Sequence, residues 1–368
     1  VTDSVKVTNN DKYIAFGIIA DTHVDALTCA DSPLLCPNFD YYNDSDWMKN
    51  NRNVINDLNL DCKKTGRPFV DAVVKQDCLG IVHLGDMVND RSTQQLVAFR
   101  QLYEYDYSHK DVYTWGCDCG TRCNDAYSQG FRIHFPVIPV LGNHDVTHSY
   151  RDQNTETGGY IIQRVADAKG LLDQYPNVID PANNSRNQTN FIWRWGQYVF
   201  VTLGLWAGSY NWEDPNHIDE NKLTWLKNSL ANYVGDSNLG VLIFQHYGWD
   251  GFSTMWWSDD QRDKMLNILC RRENKNDVCN PYNVLGIFTG HNHHPQRWIK
   301  VYAGTDANGK AVEFENFSML TTAATTHDAL AYGFSVVRLT GDKMYIHTKD
   351  KFGDAFWPVT VRDIKVGK

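Results

Sequence analysis

Long apolar runs are missing from this 368-residue chain. The longest, such as "YVFVTLGLWAG", have the size of a strand, well short of the roughly 20 residues that a membrane-crossing helix needs. That argues against an integral membrane protein. A basic face is missing too: 35 Lys and Arg stand against 44 Asp and Glu, and the formal charge is -9. Nucleic-acid phosphates require clustered cations, so no nucleic-acid-binding face is expected. Repeats and low-complexity tracts are absent, which excludes a solenoid and a largely disordered chain. There is no initiating Met and no signal-like apolar core after Val1, as in a mature secreted form whose leader has been removed.

Cysteine, by contrast, is plentiful. Nine residues (29, 36, 62, 78, 117, 119, 123, 270 and 279) point to an oxidising compartment and a secreted or lumenal protein. Cys270 and Cys279 bracket "RRENKNDV", Cys29 and Cys36 bracket "ADSPLL", and "CDCGTRC" is a dense knot whose pairing the spacing does not fix. The odd total leaves one thiol free or paired to another chain. Zinc is the competing reading of "CDCGTRC", disfavoured because no fourth ligand is close in sequence. N-x-[ST] sequons at Asn43, Asn183, Asn187 and Asn316 are candidate glycan sites.

Short apolar runs recur, most ending in a polar cluster: "YIAFGIIADTH", "LGIVHLGD", "FPVIPVLGNHD", "VFVTLGLW", "GVLIFQHYG" and "VLGIFTGHNHH". Continuous rather than alternating apolar character predicts strands buried on both faces. Between them, "STQQLVAFRQLYEY" and "IDENKLTWLKNSL" carry helical periodicity, the second with Leu223, Leu226 and Leu230 on one face. "FSVVRLTGDKMYIHTKD" reads as a hairpin turning at Gly-Asp. The length would suit about two domains, but the pattern is read as one α/β domain over 1–368. Two stretches, 28–61 and 108–129, look like surface insertions.

Sites in α/β folds lie beyond the carboxyl ends of strands, and the polar clusters fall there. They supply Asp21 and His23 in "ADTH", Asp86 in "LGDMVND", Asn143, His144 and Asp145 in "LGNHD", His246 in "FQHYG", and His291 and His293 in "TGHNHH". Alone, each has a plainer reading: turn or cap carboxylate for Asp21 and Asp86, turn residue for Asn143, core histidine for His246. Together they offer seven ligands besides His144, enough for two cations, with Asp86 able to bridge them. Carboxylate, amide and imidazole in mixture suit Zn, Fe or Mn rather than Mg or Ca. The two-residue spacing of Asp21 and His23, repeated in His291 and His293, would let both side chains leave one face of a strand end.

In this order, "DTH", "GDMVND", "GNHD", a strand-end His and "GHNH" resemble the five blocks of the calcineurin-like metallophosphoesterases, from about Tyr13 to about His347. The resemblance implies a four-layer αββα sandwich of two mixed β-sheets flanked by helices. It implies that Asp21, His23 and His293 hold one metal, that Asn143, His246 and His291 hold the other, and that Asp86 bridges them. His144 would protonate the leaving oxygen, with Asp145 orienting it, while a metal-bridging hydroxide attacks phosphorus.

Two departures narrow the branch. Purple acid phosphatases carry Gly at the position of His23 and a metal-bound Tyr at Asn89. Protein Ser/Thr phosphatases carry Asp where Asn89 stands. His294 matches no ligand position, and among the unassigned His148, His217 and His327 the last is expected nearest the site. The aromatic stretch "HYGWDGFSTMWW" could be a lid in which Trp249, Trp256 and Trp257 grip a substrate, though packing is the preferred reading. The expected function is secreted, metal-dependent hydrolysis of phosphate monoesters such as nucleotides or small organic phosphates. The alternatives are a phosphodiesterase acting on cyclic nucleotides or lipid head groups, and a non-catalytic binding protein of the same fold.

Overall fold

A computed structural model describes residues 11–24, 46–63, 77–88, 93–103, 133–145, 190–204, 220–249, 257–293, 297–319, 333–350 and 360–366. Each of the six apolar runs forms a strand: β1 (Ile14–Ile19), β2 (Ile81–His83), β3 (Val137–Pro139), β5 (Tyr198–Thr202), β6 (Gly240–Gln245) and β7 (Val284–Thr289). Nearly all their residues are buried, as continuous apolar character requires. The others are β4 (Phe191–Trp195), β8 (Arg297–Thr305), β9 (Ala311–Ser318), β10 (Gly333–Leu339), β11 (Lys343–Asp350) and β12 (Thr360–Asp363). The expected hairpin is β10 and β11, paired antiparallel around Gly341 at φ 94°.

The strands make two mixed six-stranded sheets, ordered β12-β11-β10-β1-β2-β3 and β4-β5-β6-β7-β9-β8. Each has a parallel part: β1, β2 and β3 along one side of the first, β5, β6, β7 and β9 at the centre of the second. Aromatic rings hold the sheets together. Trp193, Phe200, Phe244, Phe288 and Phe317 stack from β4 across to β9. From the first sheet, Phe16 meets Phe200 edge-on at 5.1 Å and Phe244 at 5.9 Å. Such edge-on pairs contribute about 0.5–1.5 kcal/mol each beyond area burial.

Helices cover the outer faces, completing the α/β sandwich. On the first sheet lie α1 (Asp46–Asp61), whose Leu58 reaches Gly17 of β1, and α2 (Thr93–Tyr103), whose Phe99 meets His83 of β2 at 5.4 Å. On the second, α3 (Glu220–Tyr233) buries Leu223, Leu226 and Leu230, and α4 (Asp259–Leu269) is capped by Ser258, whose Oγ accepts from Gln261 N–H.

One boundary is corrected. The stretch 28–61 is not an insertion throughout: from Asp46 it is α1, with Val54, Ile55 and Leu58 fully buried in the core. The expected insertion at 108–129, with "CDCGTRC", lies outside the described residues, as do Cys29 and Cys36. Disulfides join Cys62 to Cys78 and Cys270 to Cys279.

Candidate metal centre

The parallel strands of both sheets end at one place, and there the backbone turns sharply. Asp21 and His23 after β1, Asp86 after β2, and His291 and His293 after β7 all have positive φ, between 40° and 71°. Among the described non-glycine residues only Arg271 shares this conformation. It disfavours L-residues, costing about 1–3 kcal/mol each. The expected geometry is thereby corrected: Asp21 and His23 do not share a strand face. β1 has ended at Ile19, and left-handed turns aim the two side chains.

Backbone bonds lock the turns together. Asp21 N–H donates to Gly85 O at 2.9 Å and His23 N–H to Asp86 O at 3.0 Å. His291 N–H donates to both Asp21 carboxylate oxygens, at 3.0 and 3.1 Å, tying the second sheet to the first. Glycines permit the approach. A Cβ on Gly142 would lie 2.1 Å from Asp86 N, and one on Gly85 would lie 2.7 Å from His246 Nδ1.

Two sets of ligand atoms result, each within 4.8 Å: Asp21, His23, Asp86 and His293, and then Asp86, His246 and His291. Asn143 Oδ1 lies beside the second set, 2.9 Å from His246 Nε2. Asp86 belongs to both. Its Oδ1 accepts from His144 N–H at 2.7 Å. Its Oδ2 is buried without a hydrogen bond and faces His23 Nε2 at 3.5 Å and His246 Nε2 at 3.3 Å. The His23 and His293 Nε2 atoms are 3.1 Å apart, and His293 Nε2 is 3.6 Å from Asp21 Oδ1. Carboxylate, amide and imidazole groups converge here, a donor mixture that can hold metal ions. His246 Nδ1 donates to Leu84 O at 2.8 Å, leaving Nε2 as the ligating atom.

The profile of the calcineurin-like phosphoesterases matches residues 14–295, more than half of the chain. The chain belongs to this family. As a calcineurin-like phosphoesterase it is a metal-dependent hydrolase of phosphate esters, and the two ligand groups make a dinuclear site. The fold is similar to a dimetal phosphatase from Danio rerio, at 13% identity and TM-score 0.49, covering 96% of this chain and 99% of that one. It is also similar to PhoD (11%, TM-score 0.49, covering 96% and 69%) and to GAP50, the anchor in the inner membrane complex of Plasmodium (11%, TM-score 0.45, covering 97% and 90%). A comparison with curated proteins returns no significant match.

Protonation in the phosphoesterase site shows what charge it needs. Burial, then repulsion from His144 and His293, lowers the His23 pKa to about 4. Burial, then His246, lowers that of His291 to about 3. Burial also works against a charged His246, but the Asp86 carboxylate outweighs it and raises that pKa to about 9. Asp21 raises that of His293 in the same way, against burial. The carboxylates thus favour the charged form of both His246 and His293, the sign expected of a site with excess negative charge, and bound cations would compete with those protons.

Asp145 has a backbone role that the motifs do not indicate. Its buried carboxylate accepts four backbone N–H groups: Gly142 at 2.8 Å, Asp86 at 2.9 Å, Met87 at 2.8 Å and Val88 at 3.2 Å. It clamps the "GD" and "GNHD" turns to each other, and the His144 ring packs edge-on against His23 with centroids 4.6 Å apart.

His83, which the sequence reading passed over, lies fully buried directly behind the site and accepts Gly85 N–H on Nδ1 at 3.2 Å. Its only signal was a polar residue inside an apolar run. Trp249 and Trp257 are buried and meet edge-on at 5.8 Å, so the packing reading holds for both. Asn316 is corrected as a glycan site: it is 1% exposed, accepts from Trp249 N–H and donates to Ile287 O and Thr289 Oγ1. His148, His217, His294, His327, Trp256, Asn43, Asn89, Asn183 and Asn187 lie outside the described residues.

Proposed function

We propose that the chain is a secreted phosphatase that hydrolyses phosphate monoesters at this dinuclear site. Asp21, His23 and His293 hold one ion, Asn143, His246 and His291 hold the other, and Asp86 is shared. The observation that carries the assignment is Asp86 Oδ2, a buried oxygen set between the Nε2 atoms of His23 and His246, one from each ligand group. Zn, Fe or Mn suits the donor mixture. Bound there, two such cations would supply Lewis-acid polarisation of phosphoryl oxygens and a hydroxide nucleophile near neutral pH.

The chain's own residues supply the rest. Asp145 fixes the distance between the Asp86 and Asn143 turns. His144, partly exposed and anchored by its N–H on Asp86 Oδ1, gives its ring proton to the departing alkoxide. Secretion is supported by two disulfides, Cys62–Cys78 and Cys270–Cys279. No described helix is long and apolar enough to cross a membrane.

Metal analysis combined with rates on a chromogenic monoester and diester tests the proposal. Two transition-metal ions per chain are expected, with the monoester preferred. Asp86→Ala should lose metal and activity together. His144→Ala should keep the metal and lower kcat by about 10²–10⁴-fold. Absence of bound transition metal, or an unaffected Asp86→Ala variant, would overturn the site assignment. A diester preference of two orders of magnitude would overturn the substrate class alone.

A further inference from the structure

Behind the Asp21–His23 turn lies a buried hydrogen-bond relay that the proposed reaction does not use. We infer that His83 and Thr22 are positioning residues that hold Asp21 and His23 in register with Asp86, and so govern the affinity of one ion and not the other. This inference rests on the dinuclear reading above.

The relay has a single direction. Gly85 N–H donates to His83 Nδ1 at 3.2 Å, which leaves the proton of the neutral ring on Nε2. His83 Nε2–H then donates to Thr22 Oγ1 at 3.0 Å, and the hydroxyl donates onward to Met87 O at 2.8 Å. It starts and ends on the Asp86 turn and passes through the residue between Asp21 and His23. Any drift of one turn against the other breaks a bond whose partners have no water to turn to, since Thr22 and His83 are both fully buried.

Both neighbouring helices back this residue pair. Asn51 of α1 donates to Thr22 O at 3.4 Å, and Tyr103 of α2 donates through its hydroxyl to Asn51 Oδ1. Phe99 and Tyr103 meet the His83 ring edge-on at 5.4 and 6.2 Å, fixing its plane. Thr22 therefore has its hydroxyl and its carbonyl held from different sides, and the flanking left-handed residues at 21 and 23 have little freedom. The other ion's ligands have anchors outside the relay: His246 on Leu84 O, and the Asn143 turn on Asp145, which also holds the Asp86 turn.

Competitive titration of the metal-free full chain with Zn²⁺ against a chromophoric chelator tests this asymmetry. The unaltered chain should take up two equivalents. Thr22→Val, similar in shape but without the hydroxyl, should bind one equivalent normally and the other about 10–100-fold more weakly, the usual effect of removing an outer partner of a metal ligand. Thr22→Ser should restore both, and His83→Gln, which loses the acceptor for Gly85 N–H, should weaken the same equivalent. Unchanged binding of both ions in Thr22→Val and His83→Gln overturns the inference, as does equal weakening of both. Failure of the unaltered chain to bind Zn²⁺ would instead overturn the dinuclear reading, and the inference with it.

Discussion

Lys349 Nζ lies 2.6 Å from Asp61 Oδ2 where α1 meets β11, and Arg338 of β10 donates to the Asp61 carbonyl at 2.9 Å. At the carboxyl end of the same sheet, Asp21 and Asp86 are buried as deeply, yet among the described residues their ion-pair partners are imidazoles alone. The first cluster brings its own permanent cations. The second has two carboxylates and side chains that turn positive only by taking up protons, on a backbone bent into left-handed turns. A buried charge with a built-in counter-charge is a structural joint, whereas one without it waits for ions from outside.

Breaking the self-sufficient cluster should have the largest effect on stability. Lys349→Met leaves the Asp61 carboxylate buried without its lysine, and denaturant unfolding should show a loss of about 3–5 kcal/mol. Metal content should not change; a loss of metal in this variant would mean that the two clusters are coupled. Removing the ions comes next. With free metal at 100 to 1,000 times its dissociation constant, chelation should cost about 2.7–4.1 kcal/mol of stability. The same increment should appear in the Lys349→Met background, because well-separated sites add. An unmoved thermal midpoint on chelation would erase the contrast.

The smallest effect sharpens the comparison through pH. His347 of β11 has its pKa lowered to about 4 by burial, then by Lys349 and Arg338. The unfolded chain, with an ordinary value near 6.5, binds this proton at higher pH than the folded chain does. The contribution of this group to stability should therefore be complete above pH 6.5 and be lost as the pH drops towards 4. His347→Gln should flatten that slope in urea titrations at pH 7, 6 and 5, with activity at pH 7 unchanged.

The central strands and the ligands at their ends were legible because a buried parallel strand is a continuous apolar run, and a polar cluster closing it stands out. α1 was not. Its sequence "DWMKNNRNVINDLNLD" is crowded with Asn and Asp, poor helix formers, so Val54, Ile55 and Leu58 did not stand out as a face. His83 was hidden for the opposite reason, as a single polar residue in an apolar run whose partners are a hydroxyl 61 positions away in sequence and a backbone amide. Asn316 shows that a sequon triplet carries no information about which side of a strand it faces. The role of Asp145 was out of reach because its partners are backbone amides, which every residue but proline has.

The left-handed turns also bear on how such a sequence would decay. Glycine and asparagine tolerate positive φ better than aspartate or histidine does. At positions 21, 23, 86, 291 and 293, exchanges to glycine or asparagine would therefore relax the backbone while removing the stabilisation that bound ions supply. In a copy released from selection for hydrolysis the two effects oppose each other, so ligands would be lost at a smaller cost to the architecture than the loss of the ions alone implies.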